Sequence, residues 1–183
     1  MVAHLKTPFF VLVANLFKEN VRIQLLIAAQ EYFNLLDKKI ILESCNFEYQ
    51  KRYVLRFEKG NFLHLTGVLT MLKAEEFFNK CLDESISISD FDFNEIKNKT
   101  NIKNKLRCLV DLSSMFKQEL LVQEQFVKNK VSCKIAASDK SFTIGFAGGE
   151  YCVYPKTVLN KNKLDETKPI LTIVPIVDDI NKK

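Results

Sequence analysis

The chain has 183 residues, 47% of them hydrophobic, and 27 basic against 22 acidic side chains give it a net charge of +5. That is enough apolar material for one ordinary domain, 1–183, with 1–36 as an N-terminal helical segment. The charge permits a polyanionic partner without requiring one, and no stretch reaches the roughly 18 unbroken apolar residues of a membrane span.

Five cysteines, at Cys45, Cys81, Cys108, Cys133 and Cys152, lie at spacings that suit neither a zinc site nor a redox pair. They read as buried free thiols in a reducing compartment. The apolar start, Lys6–Asn15, is too short for a secretory signal and lacks a small-residue cleavage site. From 12 to 36, apolar residues recur at helical spacing (Leu25, Ala28, Ala29, Tyr32, Phe33, Leu36), which predicts one long helix or two shorter ones. Residues 38–43 fit a strand or a helix end. Further on, 70–82 carries a helical stripe of Phe77, Phe78, Cys81 and Leu82. The stretch 83–95 is ambiguous. Residues 100–117 form the most regular helical pattern, with Lys97, Lys99, Lys103, Lys105 and Arg107 near its start. Cations there oppose the helix dipole, so solvent must screen them or an anion must compensate them.

Beyond residue 119 the period changes to two. Strands are predicted over 120–126, 131–137, 141–146 and 150–154, with turns at Asp139-Lys140 and Gly148-Gly149. Pro155 should end the last of them. A charged loop, 159–168, precedes a final edge strand, 170–177, broken at Pro175. The Lys182-Lys183 tail should fray.

Between the first two helical regions lies Tyr53-Val-Leu-Arg-Phe-Glu-Lys-Gly-Asn-Phe-Leu-His-Leu-Thr-Gly67, which reads as a β-hairpin. A two-residue loop, Lys59-Gly60, would set His64 beside Leu55. A three-residue loop, Glu58-Lys59-Gly60, would pair Val54 with His64 and Arg52 with Thr66. The second register is the preferred one, because it segregates Tyr53, Leu55, Phe57, Leu63 and Leu65 from Arg52, Arg56, His64 and Thr66. His64 is one of two histidines, the other being His4.

Phe62-Leu-His-Leu-Thr-Gly67 resembles the F-x-H-L-[ST/A]-G segment of the phage-associated branch of the barnase–EndoU–colicin–RelE-like nucleases. Ser132-Cys-Lys-Ile-Ala136, the aromatic strand Ser141–Phe146 and Gly149-Glu-Tyr-Cys-Val-Tyr-Pro155 are similar to later parts of the same family, and the likeness runs from Phe17 to Leu159. The resemblance implies an α+β fold: helices packed on one face of an antiparallel sheet of about five or six strands, the other face open to RNA. It also implies a phage, prophage or mobile element as the setting, in a bacterial cytoplasm.

Metal-independent RNA cleavage uses the 2′-hydroxyl as nucleophile, and needs an acid, a base and cations for the phosphorane charge. The expected catalytic residues are His64 as acid or base, Arg56 on the phosphate and Thr66 to orient it. Arg52, Lys134, Ser132, Ser141 and Tyr154 are the expected substrate contacts. Tyr151 and Tyr154 face opposite ways by alternation, so only one can join such a site. No cofactor or metal is expected. RNA, a host protein or an antitoxin are the candidate partners, and the oligomeric state stays open. No second histidine supplies an acid–base pair, which keeps a catalytically inactive RNA- or protein-binding module as the alternative. Assembly through the apolar segment Phe9–Phe17 is a third idea.

Overall fold

A computed structural model describes residues 6–93, 96–128, 130–149 and 151–180. His4, Asn94, Glu95, Glu150 and the Lys182-Lys183 tail lie outside them, as do the side chains of Lys97 and of Phe9 to Val13. The predicted N-terminal helices are one, α1 (Lys6–Phe33), which begins ahead of residue 12. Strands β1 (Lys38–Glu43) and β2 (Arg52–Arg56) follow and pair antiparallel, with Val54 opposite Ile41.

The hairpin does not form. After β2 the chain turns into a helix, α2 (Lys59–Thr66). Phe62, Leu65 and Thr66 are buried at i, i+3, i+4, the spacing of one helical stripe. Phe62 stacks edge-on against Tyr32 and Phe78, at 5.3 and 5.2 Å between ring centroids. Gly67, at φ 76°, supplies the left-handed residue that ends the helix. Phe62-Leu-His-Leu is too short an apolar run for its period to separate helix from strand, and the aromatic core in front of α1 decides the matter. Both predicted hairpin registers are therefore wrong, and with them the placing of His64 and Thr66 on the Arg56 face.

Helix α3 (Ala74–Leu82) starts later than the pattern suggested, and 83–93 forms no named strand, only a bridge between Leu69 and Asp92. The long helical stripe divides at Asp111 into α4 (Ile96–Val110) and the short α5 (Leu112–Met115). Lys99 and Lys103 hold their ammonium groups 4.9 and 5.2 Å from the ring centre of Phe17, so an aromatic face meets these cations rather than an anion.

The remaining strands are β3 (Leu120–Lys128), β4 (Val131–Ser138), β5 (Phe142–Gly148), β6 (Val153–Asn160), β7 (Leu171–Ile173) and β8 (Ile176–Asp179). Pro155 does not end β6. It sits inside the strand where the register shifts between Gly145 and Phe146, a bulge that tolerates the missing N–H. The strands form one eight-stranded sheet in the order β7-β3-β4-β5-β6-β2-β1-β8, wider than the five or six expected. Its pairs are antiparallel except β2 with β6. Val174-Pro175 alone separates β7 from β8, yet these strands occupy opposite edges, so the sheet curls strongly.

Within the curl, helices and inner strand face share one core, including Leu25, Tyr32, Leu55, Phe62, Phe78 and Phe146. The expectation of an outer face left open fails over β3, β4 and β5. There Leu164, from the loop after β6, packs on Phe126, Cys133 and Ala136. That loop is tied down by Gln123, whose amide donates to the Asp165 carbonyl at 2.8 Å and accepts the Asp165 N–H at 3.0 Å. Thr143 is buried and accepts the Lys163 N–H. Across the curl, Glu124 of β3 accepts hydrogen bonds from Tyr53 Oη at 2.5 Å and from the Glu48 N–H at 2.7 Å.

Candidate active site

Strand register assembles a polar row on the outer face of β8, β1, β2 and β6. Leu55 and Val153 are buried and paired, so Arg56 and Tyr154, one residue on, share the opposite face. Lys39 pairs directly with Arg56 on one side and with Asp178 on the other. Two cations side by side on a sheet repel one another, an arrangement that favours an anionic partner.

Glu58, in extended conformation as the N-cap of α2, follows this row. Its backbone is pinned from below: buried Tyr32 donates its hydroxyl to the Glu58 carbonyl at 2.9 Å. Its carboxylate lies close to the Tyr154 phenol. Burial, the negative charge of Glu58 and Cys152 raise the Tyr154 pKa above the ordinary tyrosine range, and the positive charge of Arg56 opposes them. A carboxylate and a guanidinium thus act with opposite sign on one phenol. Gly148 makes room beneath: its φ of 142° suits glycine, and a Cβ there would come within 3.1 Å of the Tyr154 ring.

The predicted residues divide around this point. Arg56 and Tyr154 meet. Lys134 lies nearby, donating to the Gly149 carbonyl at 2.8 Å beside Gly148. The Ser132 carbonyl accepts from Lys156 at 3.0 Å, and Lys156 is on β6 two residues beyond Tyr154. Arg52 shares the Arg56 face but pairs with Glu43. Ser141 is elsewhere, in the β4–β5 turn, with its N–H and hydroxyl both donating to Asp139. Tyr151 is exposed and precedes β6. Thr66 is buried, donating to the Leu63 carbonyl at 2.7 Å and accepting the Val68 N–H at 3.2 Å. His64 is exposed on α2, in a hollow lined by Gly60, Leu63, Gly67, Ala74 and Lys105, and no hydrogen bond joins it to Arg56.

A sequence model of the family described as phage-Barnase-EndoU-ColicinE5/D-RelE like nuclease 4 matches residues 24–182. The chain belongs to this family. Comparison with curated proteins and with solved structures returned no match. The match covers α2 to α5 and all eight strands, so both the polar row and the His64 hollow lie within the nuclease-like region.

Sequence reasoning missed three groups of this family member: Glu58, Lys39 and Lys105. Glu58 was assigned to a hairpin loop, although an acidic residue ahead of an apolar run is also a helix-start signal. Lys39 carries no local signal, because its neighbour Arg56 is fixed only by strand pairing. Lys105 stands among the lysines near the start of the long helical pattern, with no local signal to set it apart from Lys99 and Lys103. Among the described residues, no group of three or more His, Cys, Asp or Glu is placed to hold a metal, and no helix is long and apolar enough to cross a membrane. Cys81 and Cys108 are buried thiols, pushed up by burial to about 12 and about 11, whereas Cys45 is exposed, against expectation.

Proposed function

We propose that the protein is a metal-independent ribonuclease whose reaction centre is Glu58, Tyr154 and Arg56, acting in the cytoplasm of a bacterium that carries the phage or mobile element. The convergence of Glu58 and Arg56 on the half-buried Tyr154 phenol carries this reading. Glu58, a carboxylate held at a helix N-terminus, takes the proton of the 2′-hydroxyl. The 2′-oxygen attacks the neighbouring phosphorus, and the bond to the 5′-oxygen breaks to leave a 2′,3′-cyclic phosphate. Tyr154, whose raised pKa keeps its proton through neutral pH, donates that proton to the departing 5′-oxygen. Arg56, flanked by Lys39, stabilises the extra negative charge of the phosphorane. Lys134 and Lys156 extend the cationic surface along the strand.

The test is cleavage of RNA in EDTA, with a 2′-deoxy oligonucleotide as the uncleavable control. Glu58→Gln and Arg56→Met should each lower kcat by about 10²-fold or more. Intact RNA with the wild-type protein would overturn the enzyme reading, and salt-dependent binding without cleavage would assign the surface to a binding module. A second reading, favoured by the solvent-facing ring, gives the acid–base role to His64. It replaces the first if His64→Ala abolishes cleavage and Glu58→Gln does not.

A further inference from the structure

Lys105 presents an unusual cation. It projects from α4 toward the end of α2, with its Cδ 3.2 Å and its Nζ 3.5 Å from the point where a Gly67 Cβ would stand. It is partly buried, and desolvation lowers its pKa. No hydrogen bond or ion pair meets its ammonium among the described residues. Its neighbours Lys99 and Lys103, by contrast, rest on the Phe17 ring. Taking a cation out of water with no compensating charge is unfavourable, and an anionic ligand is the ordinary remedy.

The surroundings fit such a ligand. Lys105 lines an open cavity of about 390 Å³ together with His64, Gly60, Gly67 and Ala74. His64 is exposed there and offers ring N–H donors to an anion. Ala74 begins α3, whose N-cap residue Lys73 makes no side-chain capping bond. Gly60 and Gly67 add no side chain to the lining, and Leu63, Val68 and Leu69 complete it. No carboxylate lines the cavity.

We infer that this hollow binds a second phosphodiester of the same nucleic-acid strand, with Lys105 as its partly buried cation and His64 as its outer contact. The inference rests on the nucleic-acid reading above. Helix α2 carries Glu58 at its start and His64 six residues on, about 9 Å along the axis and about a third of a turn around it, so a strand that meets both places crosses over α2. Gly67 then both ends the helix and keeps the space over Lys105 clear.

Two measurements on the full chain test it, with Lys105→Met beside wild type and Lys105→Gln as a second variant should the first not fold. The first is the salt dependence of binding to an uncleavable 2′-deoxy oligonucleotide. Loss of one phosphate contact should weaken binding about tenfold and reduce the slope of log K against log salt by about 0.7. The second is the NMR signal of the His64 ring on addition of inorganic phosphate, which should move in wild type and stay fixed in the variant. An unchanged slope, or a His64 signal indifferent to phosphate, overturns the inference while leaving the Glu58 centre standing if RNA is still cleaved. A phosphate-responsive His64 in a protein that binds no oligonucleotide fails the nucleic-acid reading itself, and the strand assignment falls with it.

Discussion

Tyr32 connects the deepest part of the core to the reaction centre. Its ring stacks edge-on with Phe57, Phe62 and Phe78, and its hydroxyl holds the Glu58 carbonyl. Tyr32→Phe removes only that hydrogen bond, so it should cost about 1 kcal/mol in urea unfolding and lower kcat with little change in KM. Full activity in the variant would show that Glu58 needs no such anchor. The pH profile separates the two acid–base readings. Tyr154 has a raised pKa, so its proton is retained above the ordinary tyrosine value, and the alkaline limb of kcat should lie above about pH 10. A limb that disappears in His64→Ala would identify the imidazole instead. Lys105 gives a stability prediction. Its lowered pKa means that the folded chain binds this proton less tightly than the unfolded chain does. The cost is full below the lowered pKa and vanishes as pH rises toward the usual lysine range. Lys105→Met should therefore be more stable than wild type at pH 7 and lose that advantage in alkali, as read by urea melts at the two pH values.

At the scale of elements, α2 shows how much could be read in advance. The alternation of β2 was legible: Tyr53, Leu55 and Phe57 are buried, and Arg52 and Arg56 face the other way. So were the strands over 120–126, 131–137 and 141–146 and the Asp139-Lys140 turn, where Asp139 accepts the Ser141 and Phe142 N–H groups, whereas the strand expected over 150–154 runs instead from Val153 to Asn160. The identity of α2 was not. Phe62, Leu63 and Leu65 satisfy a strand as well as a helix, and only packing against Tyr32 and Phe78 chooses between them. Nor could local pattern place Arg56 beside Tyr154, since the parallel β2–β6 pairing joins strands about a hundred residues apart. Gly67 was the available clue, because a glycine after an apolar run ends helices as readily as strands. Gly67→Ala forces a side chain into the left-handed region, at about 1–2 kcal/mol, and crowds Lys105. Thermal unfolding should register that loss, and a Tm equal to wild type would mean that the helix end relaxes freely.

The molecule as a whole is organised by its curl. The outer face is divided between a covered part, where Leu164 seals Phe126 and Cys133, and the polar row on β8, β1, β2 and β6. Leu164→Ala should cost about 2 kcal/mol or more and loosen the loop over β4, which hydrogen exchange would report as faster exchange at Leu164 and Asp165. Unchanged exchange would show that the Gln123 and Thr143 hydrogen bonds suffice to hold it. The two outermost strands are short, and β8 ends in Asp178-Asp179, with Lys38 bonded to Asp179. Short, charged borders of this kind discourage pairing with another chain.

The order in which the strands occur along the polypeptide has a temporal consequence. The segment that flanks Lys39 with Asp178 is made after every group of the proposed reaction centre. A nascent chain that has reached Lys156 holds all of the proposed chemistry but lacks the strip that borders it. Synthesis must pass Asp178 before that border can form.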